Sequence, residues 1–114
     1  MLNWIDYRKK LTGRIGEFAA ASPDTFKGYQ TLSRAAEKTG QLDAKTRELI
    51  ALAVSVTTRC DGCITVHTDL ALKAGATKEE ISEALGVAVA MNAGAALIYS
   101  LRVLDAAEAK SAKA

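Results

Sequence analysis

At 114 residues the chain is long enough to enclose a hydrophobic core of its own, and residues 1–114 read as one domain. Its composition, 49% apolar and 25% charged, is that of a soluble globular protein. A formal net charge of +2 is too small to mark a nucleic-acid or membrane-binding surface, so neither partner is expected. The one basic cluster, Arg8-Lys9-Lys10, reads as a solvated helix face.

Turn signals divide the chain into about six helical segments, and no segment shows the period-two alternation of a half-buried strand. The opening stretch MLNWIDYRKK lacks the apolar run of a secretory signal, so a reducing cytoplasm is the expected compartment. The first helix spans roughly 2–20, with Trp4, Ile5, Leu11, Ile15 and Phe18 as its apolar positions and Gly13 and Gly16 weakening its middle. Ser22-Pro23 starts the second, a capping residue followed by proline where a missing N–H costs nothing; Gly40 stops it. Asp43 caps a third helix over about 44–57, whose LIALAVSV stretch is apolar nearly all round and calls for burial on several sides. Thr57-Thr58-Arg59 interrupts it, and a fourth helix runs from about Cys60 to Ala74, stopped by Gly75. Thr77-Lys78-Glu79-Glu80 is a capping box opening a fifth. A sixth, about 93–109, ends in a charged, Ala-rich tail. The weakly polar run 84–101, broken by Asn92 and Ser100, reads as a buried helical region rather than a membrane span. Its small residues, GVAVAMNAGAA, allow helices to approach closely, and some of that surface is expected between subunits of a homo-oligomer. The fold class is all-α.

The stretch TRCDGCITVH holds both cysteines and the only histidine. On a helix, Cys60, Cys63, His67, Leu70, Ala71 and Ala74 fall on one stripe bordered by Val66, facing the core or a cleft. His67 lies one turn beyond Cys63 and two turns, about 10 Å, beyond Cys60. In a reducing compartment, CxxC is more often catalytic or metal-binding than structural. At a helix start, unpaired N–H groups and the helix dipole favour a thiolate, and a nearby imidazole can take the proton. Glu48 is a candidate third member. In one continuous helix it would lie about 22 Å from Cys63, but a turn at 57–59 makes the two helices antiparallel. Glu48, nine residues before the turn, then matches His67, about eight beyond it, and could orient the imidazole or share its proton.

The pattern Glu48-x11-Cys60-x2-Cys63-x3-His67, with the KAGAT turn and NAGAALIYS, closely resembles the AhpD-like alkyl hydroperoxidase branch of the carboxymuconolactone decarboxylase family. The resemblance covers roughly 42–99 and adds little over the N-terminal 40 residues. It implies an AhpD-like helical bundle, a trimer or hexamer, acting as a thiol peroxidase or disulfide reductase. By carry-over, Cys63 is the peroxide-attacking thiolate and Cys60 the resolving thiol, with His67 and Glu48 as the proton relay. A thioredoxin-like argument instead favours Cys60, nearer the helix start. No bound cofactor or metal is implied. The reductant would be an external dithiol, such as a protein-bound dihydrolipoyl group, and a peroxiredoxin could be a partner disulfide. One departure stands out: better-defined hydroperoxidases can carry a histidine between the cysteines, where this chain has Asp61 and Gly62.

Two other function classes remain open at this stage. A decarboxylase-like or other acid–base enzyme would merely retain the cysteines, since that chemistry does not call for the pair. A zinc-binding or structural oligomer would draw on Cys60, Cys63, His67 and Glu48 as ligands, but the usual second knuckle of ligands is missing.

Overall fold

The computed structural model describes residues 1–112 and contains, among them, five α-helices and no strand. They are α1 (Trp4–Ala21), α2 (Pro23–Thr39), α3 (Ala44–Thr58), α4 (Asp61–Lys73) and α5 (Lys78–Ser111). The expected boundaries of the first four hold to within two or three residues, and their caps explain why. Asn3 accepts from the Asp6 N–H at α1, and Asp43 from the Thr46 N–H at 2.8 Å at α3. Pro23 occupies the first turn of α2, while the Ser22 hydroxyl turns to Thr25 Oγ1 rather than to the backbone. Gly40 closes α2 at φ 70, where a Cβ would be strained.

The two helices expected after Thr77 are one. The reciprocal bonds of the capping box form, Thr77 N–H to Glu80 Oε1 at 2.9 Å and Glu80 N–H to Thr77 Oγ1 at 3.1 Å, and the helix then runs unbroken for 34 residues. Asn92, which interrupts the apolar run 84–101 in the sequence, does not break the helix. Its amide donates to the Ala88 carbonyl one turn back and to Thr57 Oγ1 of α3, at 2.7 and 2.9 Å. A residue that usually favours turns here ties two helices together. The tail of α5 is helical to Ser111, and 113–114 lie outside the described residues.

Packing centres on α3, which lies between α4 and α5. Leu52 of α3, Ala71 of α4 and Ala76 of the following turn form the core, with Leu49 and Ile81 against them. Ser55 is also buried and returns its hydroxyl to the Ala51 carbonyl. The small alanines let the helices meet closely, and Lys45 of α3 reaches Glu80 of α5 at 2.8 Å, pinning the two helix starts together. Helix α1 lies on α2 and α4, and neither α1 nor α2 has a buried residue.

That core is small for the chain. The accessible surface is 9019 Å², against about 6,000 Å² for an ordinary folded monomer of 12.0 kDa. The radius of gyration, 19.3 Å, exceeds the roughly 13 Å of a globular domain this long. Two expectations change accordingly. The apolar α3 is buried only on the side of Leu52 and Ser55, while Ile50 and Val54 are half exposed. The run 84–101 is not buried within the chain either: Val87, Val89, Met91, Leu97, Ile98 and Leu101 all lie open on α5. By length and composition α5 would suffice to cross a membrane, with mean hydropathy 1.7 over its most apolar 18 residues.

The helix starts set a pH dependence. The Glu80 carboxyl is held below its usual range, first by Lys45 and then by the Thr77 N–H, and Asp43 is held low by its bonds to Thr46. Lys45 is correspondingly raised by Glu80. Lowered carboxyl values mean that these contacts contribute fully above the unfolded carboxylate range and are lost as pH falls through the lower folded values. The lysine's contribution is present below its unfolded value and lost only in strong alkali. Thermal unfolding followed by circular dichroism should therefore be insensitive to these groups near neutrality and weaken in acid. Glu80→Gln should flatten part of that acid slope, and Thr77→Ala should cost about 1 kcal/mol at neutral pH.

Candidate active site

The site is created by a reversal of the chain over two residues. Helix α3 ends at Thr58, Arg59 adopts the left-handed conformation at φ 55, and Cys60 is already the capping residue of α4. The N–H groups of both Arg59 and Cys60 donate to the Ser55 carbonyl, satisfying an acceptor that the helix end would leave open. Helices α3 and α4 then run back along one another, as the position of Glu48 requires.

Cys60 and Cys63 are joined as a disulfide, with Cα atoms 5.2 Å apart. Cys60 sits one position before the helix proper, where Ser, Thr, Asp or Asn is usual, and its Sγ accepts the Cys63 N–H at 3.1 Å. The sulfur therefore takes the place of a capping oxygen. Asp61, exposed in the first turn, carries the negative charge favoured at a helix N-terminus.

His67 follows one turn beyond Cys63, and its Nδ1 lies 2.6 Å from Glu48 Oε2 across the α3–α4 interface. An ionised carboxylate only accepts, so Nδ1 carries the proton and donates it, which leaves Nε2 free to accept one. The pair is partly shielded without being sealed, with side-chain exposures of 28% for His67 and 20% for Glu48. Thus Glu48 and His67, 19 positions apart, meet across the α3–α4 interface, and the Cys60–Cys63 disulfide lies toward the α3–α4 turn, one helical turn along α4 from His67. The rest of the predicted stripe divides: Ala71 is fully buried, whereas Leu70 is 40% exposed. Among the described residues no three His, Cys, Asp or Glu side chains are grouped to hold a metal ion.

Between the cysteines, Gly62 faces the N-terminal helix. A Cβ built on Gly62 would lie 3.4 and 3.6 Å from the two terminal carbons of Leu11 on α1. That is ordinary van der Waals contact, and it shows that Leu11 of the N-terminal helix lies beside the turn between the cysteines. Sequence reasoning did not find Leu11, because a leucine on an amphipathic helix carries no signal of what it packs against.

The chain is thus an all-α protein with a disulfide at a helix start and a carboxylate–imidazole pair one turn away, and comparison with known proteins shows its family. Residues 23–106 match the sequence profile of the carboxymuconolactone decarboxylase family. The chain belongs to this family, the AhpD-like superfamily. It is 47% identical over 104 residues to an uncharacterized protein of Haemophilus influenzae, covering 91% of this chain and 92% of that one. It is 39% identical over 99 residues to an uncharacterized protein of the cox locus of Paracoccus denitrificans, covering 84% and 89%. The crystal structure of an apo carboxymuconolactone decarboxylase family protein from Legionella pneumophila superposes with a TM-score of 0.74 at 39% identity, over 90% of this chain and 91% of that one. A protein structure from Methanobacterium thermoautotrophicum gives 0.71 at 31% identity, over 78% and 97%.

The reversal at Arg59 makes a specific demand on side-chain shape. A β-branched residue in the left-handed region is strained, so Arg59→Val should destabilise the protein by about 1–2 kcal/mol in denaturant unfolding. Arg59→Gly should be tolerated, with His67 still within reach of Glu48 and thiol oxidation unimpaired.

Proposed function

We propose that the protein is a thiol-dependent oxidoreductase that reduces hydroperoxides, or a partner disulfide, through a reversible Cys60–Cys63 dithiol. The observation that carries this reading is the disulfide-bonded pair at the start of α4, one turn from an imidazole anchored by Glu48. In the proposed cycle His67 Nε2 accepts the Cys63 thiol proton, and the Cys63 thiolate attacks the O–O bond of the hydroperoxide. Cys63 becomes a sulfenic acid, and the departing alkoxide takes up a proton to leave as the alcohol. Cys60 is the resolving thiol. The Cys63 N–H and the α4 N-terminus favour negative charge on its sulfur, and its thiolate displaces hydroxide from the sulfenic acid, giving the disulfide and, after protonation, water.

An external dithiol of the dihydrolipoyl type closes the cycle. Its thiolate attacks Cys63 Sγ and expels Cys60 as a thiolate, and its second thiol then completes its own disulfide, so two electrons pass from reductant to enzyme. Glu48 holds the imidazole in the tautomer that accepts at Nε2. Such a cycle suits a reducing cytoplasm, where the disulfide is transient. The carboxylate–imidazole pair alone would also suit an acid–base reaction of the decarboxylase type, but that chemistry leaves the dithiol without a role.

Hydroperoxide consumption driven by dihydrolipoamide tests the reading. Wild type should turn over, Cys63→Ser should be inactive, and His67→Asn should lose on the order of 10²-fold in kcat/KM. Glu48→Gln should lose less than the histidine variant. If wild type reduces neither a hydroperoxide nor a disulfide and its cysteines resist bridging, the redox reading fails.

We also propose that the working form is a homo-oligomer, a trimer or hexamer, in which the apolar flanks of α5 and α3 are covered by other copies. The excess accessible surface and the uncharged run 84–101 support this over a chain that works alone. Light scattering in detergent-free buffer should give three or six times 12.0 kDa, and Leu97→Glu on α5 should lower it. A mass of one chain, or recovery only with membranes, would refute the proposal.

A further inference from the structure

Away from the dithiol, α1 and α4 enclose a cavity of about 410 Å³, within the size range of small-molecule sites. Each helix contributes residues at i, i+1, i+4 and i+5, so two turns of one face two turns of the other. Its wall is mainly apolar, with Trp4 and Ile5 on α1 and Ile64 on α4, and Tyr7 holds the Trp4 ring in an edge contact.

The polar groups in this cavity are few and of one kind. Arg8 meets Asp69 through Nε at 3.3 Å, and that is its one ion pair among the described residues. Lys9 lines the same cavity with no ion pair among the described residues, which leaves one positive charge in excess. The cluster that reads as a solvated face in the sequence thus places two of its three cations at a cleft. Two hydroxyls add to them. Thr12, Thr31, Thr57 and Thr58 return their hydroxyls to backbone carbonyls one turn back, but Thr65 and Thr68 make no such bond. Thr65 is only 6% exposed and lines the cavity, with no hydrogen-bond partner for its hydroxyl among the described residues.

An apolar slot with an unpaired cation, a half-engaged guanidinium and two unengaged hydroxyls matches one ligand chemistry. We infer that the α1–α4 cavity binds an amphipathic monocarboxylate, its chain against Trp4, Ile5 and Ile64 and its carboxylate toward Lys9 and Arg8. This inference is independent of the redox reading, because the cavity residues of α4 lie off the stripe that carries Cys63 and His67. A carboxylate there accepts from Lys9 and from guanidinium nitrogens not used by Asp69.

The chain carries its own reporter, since Trp4 is its only tryptophan. Decanoate below its micelle concentration should change Trp4 emission saturably, and methyl decanoate, which keeps the chain but loses the charge, should bind at least about tenfold more weakly. Lys9→Gln, at a position with no ion pair to break, should weaken decanoate by about tenfold while circular dichroism stays unchanged. Absence of a saturable response, as when a second copy fills the cleft, would overturn the inference. So would equal binding of acid and ester, or unchanged affinity in folded Lys9→Gln.

Discussion

Arg59 adopts a conformation that side chains other than glycine usually avoid, and the geometry of the site depends on it. With Arg59 left-handed, α3 stops on the Ser55 carbonyl, α4 starts at once on Cys60, and no loop intervenes to blur their alignment. A looser connection would still allow the helices to pack, but a carboxylate and an imidazole must come within hydrogen-bonding distance. Glu48 and His67 achieve this because the link is only Arg59 and Cys60 and the rise of each helix is fixed. The small residues of the core serve the same end, since Ala71 and Ala76 let α4 and the turn after it lie close to α3 around Leu52. The backbone reversal, the close packing and the 2.6 Å contact are thus three views of one constraint.

Much of this was legible in the sequence because it rests on short-range rules. Ser22-Pro23, Asp43, Gly40, Gly75 and the Thr77–Glu80 box mark helix ends by mechanisms that act within a few residues. The approach of Glu48 to His67 followed from counting residues on either side of 57–59. What was not legible depends on partners far along the chain. Asn92 broke the apolar run 84–101 in the sequence, and its bond to Thr57, 35 residues away, could not be read from neighbours in the chain. Leu11 above Gly62 and Arg8 against Asp69 are of the same kind, contacts between a first helix with weak signals and a fourth with strong ones. The burial expected for 84–101 was inferred from hydropathy, which measures what a helix avoids but not what it packs against.

The N-terminal helix emerges as more than a solubilising segment. It places Leu11 beside the turn between the cysteines and borders the cavity beside Ile64. Its grip on α4 rests on one ion pair, one leucine and an incompletely filled interface, whereas α3 holds α4 through the buried core. The two sides of α4 are therefore unequal: the face toward α3 is fixed, and the face toward α1 has space to adjust.

Cys60 occupies two positions at once, as one half of the sulfur pair and as the cap of α4. A cap stabilises a helix according to how well it accepts the N–H aimed at it, and a thiolate accepts better than a sulfur engaged in a disulfide. Reduction thus strengthens the start of the same helix that carries His67. By thermodynamic reciprocity, whatever holds the first turn of α4 in place also favours the reduced pair and makes the disulfide a stronger oxidant. The affinity of this protein for electrons is in that sense written partly in the geometry of a backbone amide.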